Sequence, residues 1–443
     1  MKKTALVIIA ALAAFSAGAQ DRAQDRAWTL GDCIRYAIDH NISLKQSRLN
    51  VEQKELDLST AKGKRLPGLA ASASENLSFG RGLGADNTYT NSNTTSTSLN
   101  LGADIPIFQG FSISDGIKIN SLDLSSATQK LRKAENDLSV NVAKAYIQIL
   151  YDEEVLKVAL SQEACDKELL ESVRARMESG KASLAEVASQ EAVLAQSSLS
   201  VAQARGNLSI SRLDLSQLLE LSTPDSLNIV FPQASALAPA LLSDPEQIWL
   251  QALDTRPEIL DAALSVERSK IAVHQAKGAF LPSLSFSGGI GTNFYTVNNQ
   301  AATSFGNQLK NNFSQYLGLS LNIPIFSRLA NRNNLKGARL NLRNETLNEE
   351  NSKKTLYKEI QQAYYNALSS QVKYESSLKT AESERRRFEL TSEKYKAGLA
   401  GITDYNDARN SRFKAESEML RARYESVFQA KLLDFYAGTA LDL

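Results

Sequence analysis

Apolar and polar residues alternate along 98–107. Leu99, Leu101, Ala103, Ile105 and Ile107 fall on one side, and Ser98, Asn100, Gly102, Asp104 and Pro106 on the other. This is the pattern of a strand with one apolar face. It returns at 316–325, where Leu317, Leu319, Leu321, Ile323 and Ile325 oppose Gly318, Ser320, Asn322 and Pro324. These segments predict strands over ~97–108 and ~313–326, with partner strands over ~68–80 and ~283–295. In the last, Leu284, Phe286, Ile290 and Phe294 oppose Ser283, Ser285, Ser287 and Asn293, whereas the first is weaker and carries Glu75 on its apolar side.

A helical period governs the rest. Residues 113–179 and 331–397 contain no proline, and each would form a helix roughly 100 Å long at about 1.5 Å per residue. Helices over 184–220 and 402–437 are about half that length, as are the combined helical stretches 30–65 and 246–280. Val142, Ala145, Tyr146, Ile149, Leu150, Leu156, Val158 and Ala159 are spaced for knobs-into-holes packing on two sides.

The two halves repeat one design. At an offset of 218, Ile105-Pro106-Ile107-Phe108 matches Ile323-Pro324-Ile325-Phe326, Ala145-Tyr146 matches Ala363-Tyr364, and Gly180 matches Gly398. At an offset of 215, Ala37 matches Ala252 and Leu66-Pro67 matches Leu281-Pro282. A loop between residues 68 and 98 absorbs the difference. Repeat 1 therefore spans 20–220 and repeat 2 spans 246–443, joined by a proline-rich linker at 221–245. Each repeat runs helix, strand, polar loop, strand, very long helix, glycine turn, helix.

Strands of 10–13 residues, long Asn/Thr/Gly-rich loops, and aromatics near the strand ends (Phe79, Phe108, Phe294, Tyr295, Phe313, Tyr316, Phe326) fit a transmembrane β-barrel. A soluble sandwich shows the same alternation. Four strands cannot close a barrel, and an open edge in lipid leaves backbone groups unpaired, so the membrane reading requires an oligomer.

The amino terminus agrees with export. Lys2 and Lys3, an apolar run from Ala5 to Phe15 and the Ala17-Gly18-Ala19 site predict a signal peptide over 1–19, with the mature chain starting at Gln20. An exported chain can form disulfides, but Cys33 and Cys165 would sit about 25 Å apart along the helices, so two free thiols are expected.

Charge and composition remove other classes. The formal charge is +1, which offers no polybasic surface for nucleic acid. No G-x-S-x-G, P-loop or H-E-x-x-H pattern occurs, so no enzyme is indicated, and neither a cofactor nor a metal is expected. His40 and His274 are read as solvated helix positions, and Arg385-Arg386-Arg387 as a solvated helix face.

The doubled order of elements, the Leu-Pro and Ile-Pro-Ile-Phe segments, and the turns RMESGKASLAEV and KYKAGLAGITDYNDAR resemble the TolC-like outer membrane efflux proteins over roughly residues 28–437. The resemblance implies a mainly α protein with β-structure. A trimeric 12-stranded outer-membrane barrel, four strands per chain, would continue into a long periplasmic α-helical barrel. It implies a homotrimer in outer-membrane lipid, working with a periplasmic adaptor and an inner-membrane pump. Pro67, Pro106, Pro282 and Pro324 would mark the strand–helix junctions. The turns Gly180-Lys181-Ala182-Ser183 and Gly398-Leu399-Ala400 would receive the adaptor.

Asp404 and Asp407 match the family's acidic entrance, with Glu186 and Tyr395 as further gate positions. Helix capping also accounts for Glu186, through a Ser183–Glu186 capping box, and for Asp404. One departure is Ala400, which stands where the family carries an arginine that holds the gate shut. The implied function is a passive exit duct for small molecules in a tripartite efflux system. The alternatives are a type I protein secretion duct and, in a different class, a soluble periplasmic coiled-coil adaptor.

Overall fold

A computed structural model describes residues 27–83, 87–223, 227–232, 242–298 and 303–442. The signal peptide and part of the linker lie outside the described residues. Two compact units emerge. The first takes in Met1–Arg48, Lys130–Ile259 and Asn351–Leu443, and the second Leu49–Gln129 and Leu260–Glu350.

Eight strands and nine helices occur among the described residues. The strands are β1 (Ala27–Trp28), β2 (Gly68–Ser78), β3 (Arg81–Leu83), β4 (Tyr89–Asn91), β5 (Thr94–Gln109), β6 (Asn228–Ile229), β7 (Ser283–Val297) and β8 (Ser314–Asn322). The helices are α1 (Leu30–His40), α2 (Ile42–Gly63), α3 (Ser112–Glu178), α4 (Leu184–Leu218), α5 (Pro245–Thr255), α6 (Pro257–Gly278), α7 (Phe305–Asn311), α8 (Ala330–Lys396) and α9 (Ile402–Tyr436). Both α3 and α8 have 67 residues. No helix among the described residues is long and apolar enough to cross a membrane.

The second unit holds a four-stranded antiparallel sheet in the order β2-β5-β7-β8. The repeat extends to its register. In the second hairpin Ser283 pairs with Asn322; moved back by 215 and 218 these become Gly68 and Asp104, the pair found in the first hairpin. Opposed residues share a face, so Leu101, Ile290, Phe286 and Leu319 lie on one side, and Ser72, Asn100 and Ser287 on the other. Both faces are open, and Leu317 is 80% exposed. Glu75 keeps its place on the apolar side and accepts a hydrogen bond from the Thr97 hydroxyl across the hairpin.

The loops carry more structure than their composition announces. β3 pairs with β4 in the first, and α7 sits in the second, where Gln308 bonds both backbone groups of Tyr295 at 3.0 Å.

Pro106 lies inside β5, paired with Ser285, as the strand expected over ~97–108 has it, shortly before the strand ends at Gln109. β2 has already ended at the Gly68–Asp104 pair, so that side of β5 is a free edge there and tolerates a residue without N–H. A bulge follows at Ile107. The junction itself is two consecutive left-handed residues, Gly110 (φ 56°) and Phe111 (φ 66°), matched in repeat 2 by Arg328 (φ 50°) and Leu329 (φ 67°). Pro67 and Pro282 directly precede β2 and β7, and Pro324 follows the end of β8.

Both histidines are exposed helix positions, as expected, and each has a neighbour. His274 Nδ1 lies 2.6 Å from a carboxylate oxygen of Asp115, whose side chain is buried. His40 stacks on Tyr36 at 3.9 Å, and its Nδ1 lies 2.9 Å from the Tyr36 carbonyl oxygen.

The core of the first unit is built from matched positions of the two repeats. Leu138, Val142 and Ala37 are buried, and so are their equivalents Leu356, Ile360 and Ala252. Each of the leucine, valine and isoleucine side chains contributes roughly 1.5–3 kcal/mol. Tyr146 donates its hydroxyl to the Val230 carbonyl at 2.6 Å, beside the parallel β1–β6 pair.

Both cysteines are free. Cys33 is fully buried, and burial, with Asp32 adding to it, pushes its thiol up to about 12. Iodoacetamide at about pH 8.5 should therefore leave Cys33 unmodified in folded protein and label it after denaturation. Equal labelling in both states would contradict the packing.

Candidate functional site

The two glycine turns of the first unit end α3 and α8. Gly180 and Gly398 adopt φ of 72° and 74°, which a side chain would strain. Lys181 N bonds the Arg176 carbonyl and Gly180 N the Met177 carbonyl, at 2.8 and 2.9 Å. Leu399 N and Gly398 N repeat the pattern on Lys394 and Tyr395, at 2.8 and 3.0 Å. Each turn is a Schellman motif, closed by its own backbone.

The turn side chains split by environment. Ala182 packs against a cluster of Leu169, Leu170, Val173, Val187, Phe388 and Tyr405. Lys181, Ser183 and Gly398 are exposed. Leu399 and Leu184 are 80% and 75% exposed, the second being a position that the sequence did not single out.

The expected capping box is half made. Ser183 Oγ accepts from Glu186 N at 3.2 Å, but the Glu186 carboxylate faces the Ser183 hydroxyl at 3.4 Å rather than the Ser183 backbone N–H. In the other turn Asp404 accepts from Gly401 N at 3.2 Å, so it caps α9 while remaining exposed. Asp407 is also exposed, one helical turn further along on the same side.

Tyr395 has an arginine partner: Arg176, in the last turn of α3, donates to Tyr395 Oη at 2.9 Å, its guanidinium 5.4 Å from the ring centroid. Tyr395 packs on Tyr405 at 5.1 Å, and Tyr405 on Phe388 at 5.3 Å. Burial raises the Tyr405 hydroxyl well above its ordinary range, and Cys165 Sγ lies 3.7 Å from it.

Behind this stack is a polar node that the sequence did not mark. Arg409 of α9 donates to Asp166 of α3, both side chains fully buried. Gln190 of α4 is also buried; it donates to the Asp166 carbonyl at 3.5 Å and accepts from Asn406 at 3.3 Å. Helical spacing does not distinguish a buried charge from an exposed one, so it singled out neither Asp166 nor Arg409.

A long two-helix hairpin doubled by internal repeat, with strands spliced between its helices, defines a class of outer-membrane channel. The chain belongs to the outer membrane efflux protein family, whose pattern it matches over residues 33–220 and 249–439. It is similar to protein CyaE of Bordetella pertussis (23% identity, 93% of this chain and 82% of that one). It is also similar to outer membrane protein TolC of Escherichia coli (24%, 81% and 74%). The crystal structure of outer membrane protein VceC from Vibrio cholerae shares the fold, with a TM-score of 0.76 at 17% identity over 93% of this chain and 97% of that one. The protein is thus placed in the bacterial outer membrane, extending into the periplasm.

Proposed function

We propose that this chain is the exit duct of a tripartite efflux system. It passively conducts small molecules that an inner-membrane pump delivers through a periplasmic adaptor. The observation that carries this reading is a sheet with an apolar face and two unpaired edges, joined to helices of 67 residues. Lipid offers no partner for an edge, so further copies must close the sheet. The family's homotrimer would give a barrel of about 12 strands.

Asp404 and Asp407 would form two rings of three carboxylates at the periplasmic entrance, favouring cations. Glu186 and the Arg176–Tyr395 contact would hold the entrance narrow in place of the arginine absent at Ala400. Arg176→Ala should therefore raise single-channel conductance severalfold with the fold intact; unchanged conductance would remove the contact from the closure.

The exposed tips, Gly180-Lys181-Ala182-Ser183 with Leu184 and Gly398-Leu399-Ala400, would receive the adaptor through Leu184 and Leu399. The test is export of a fluorescent efflux substrate from cells lacking the gene. Wild-type protein should restore export, and Leu399→Asp should reach the outer membrane yet fail to restore it. Full export by Leu399→Asp would reject the docking role. No effect of the deletion on any small molecule, with loss of an exported protein instead, would favour protein secretion.

A further inference from the structure

Six cations stand at the outer strand–helix junctions of the second unit. Lys62, Lys64 and Arg65 close α2 ahead of β2, and Arg328, Arg332 and Lys336 open α8 after β8. No acidic residue occurs from Leu58 to Ser74 or from Ser314 to Asn344. All six cations are exposed, and none has a carboxylate partner among the described residues. Asp104, opposite Gly68 in the register, lies on the polar face of the sheet.

The inner junction, where α6 meets α3, is built differently. Lys277 and Lys118 match Lys62 and Lys336, but Ala279, Phe280, Gly110 and Ser114 stand where Lys64, Arg65, Arg328 and Arg332 do. Asp115 faces His274 at 2.6 Å and Lys118 at 3.9 Å there, and its equivalent is Asn333. The outer junctions have thus gained cations and lost the acid beside them. Neither change helps the single chain. Cations at the start of α8 oppose the helix dipole, and its first turn holds no acid. Arg328 takes a left-handed backbone, φ 50°, which Gly110 adopts at no steric cost.

Apolar residues are interleaved with these charges. Leu66, Ile325 and Leu329 are 67%, 93% and 52% exposed. With the sheet in the outer membrane and the helices in the periplasm, the junctions stand level with the headgroups of the periplasmic leaflet. Apolar side chains reach the acyl region at such a level, while long cationic ones stay among the phosphates.

We propose that the outer junctions bind an anionic phospholipid of the periplasmic leaflet, such as phosphatidylglycerol, through its phosphate, with one site at each seam between copies. The site depends on the oligomeric barrel proposed above, in which the free edges of β2 and β8 close against neighbours. Gly278 and Gly110 touch within the chain, and their equivalents are Gly63 and Arg328. Arg328 and Arg332 of one copy therefore come beside Lys64 and Arg65 of the next. Such cations repel one another until an anion enters. A phosphate accepts hydrogen bonds from several of them at once, bidentately from arginine.

Native mass spectrometry of the detergent-purified protein, with phosphatidylglycerol or phosphatidylethanolamine added, tests the site. Expected is a trimer that retains about one phosphatidylglycerol per seam, at least about tenfold more tightly than phosphatidylethanolamine. Arg65→Gln/Arg328→Gln/Arg332→Gln should lose that preference. Arg385→Gln/Arg386→Gln/Arg387→Gln, which removes the same charge far along α8, should keep it. Asn333→Asp restores the acid of the inner junction without removing a cation. It should weaken phosphatidylglycerol binding severalfold, and it carries the test if the triple variant does not assemble. Trimers that hold both lipids equally, or a preference unchanged in Asn333→Asp and the first triple variant, would refute the site and leave the barrel standing. A preference for lipopolysaccharide over phosphatidylglycerol would assign the cations to the opposite leaflet and refute it too. Wild-type protein of monomeric mass would overturn the barrel and the site together.

Discussion

Arg409→Met is expected to destabilise the helical unit by roughly 3–5 kcal/mol. Arg409 and Asp166 are both fully buried, and Asp166 Oδ2 already lacks a partner. Without the guanidinium, the Asp166 carboxylate stays in the helix core stripped of its partner, since Gln190 bonds the Asp166 main-chain carbonyl and not the carboxylate. Asp166→Leu should cost a similar amount by stranding the arginine. The double variant Arg409→Met/Asp166→Leu should recover most of the loss, because an apolar pair of similar volume replaces a desolvated ion pair with little net change. Thermal unfolding followed by circular dichroism measures all three, and additive losses in the double variant would show that the charges do not act as a pair.

Gly278→Ala should be comparably severe, at more than about 3 kcal/mol, with poor recovery of folded protein. A Cβ on Gly278 would stand 1.9 Å from the Gly110 carbonyl oxygen, and one on Gly110 would stand 2.2 Å from that of Gly278. The opposing atoms are backbone and cannot rotate away. Gly206 is the control: it lies within α4 with nothing within 4 Å of an added Cβ. Gly206→Ala should stabilise by about 0.5–1 kcal/mol through helix propensity. Equal tolerance of the two substitutions would show that the crossing is looser than described.

These two sites mark where the sequence stopped being informative. Alternation along 98–107, the proline-free runs and the doubled Ile-Pro-Ile-Phe were legible because strand and helix periods leave a local trace. Gly180 and Gly398 were legible because each follows a long apolar pattern and precedes a capped helix start. The Arg409–Asp166 pair spans 243 residues and has no local signature. The close approach of Gly110 and Gly278 is likewise invisible until two distant segments cross. Pro106 was placed in its strand by the alternation, but the early finish of β2 beside it was not legible, because strand ends depend on a distant partner. At the turns, Tyr395 and Asp404 were identified by position, but Arg176 was not, since the pattern directed attention to Ala400 rather than to the end of the other long helix.

The most direct measurement is single-channel current across a planar bilayer containing the purified protein, recorded beside Asp404→Asn/Asp407→Asn. Expected are discrete, small, cation-selective steps from the wild type, and steps with reduced selectivity from the variant. Folded trimeric protein that passes no current would contradict the channel, and selectivity unchanged in the variant would return Asp404 and Asp407 to the helix start alone.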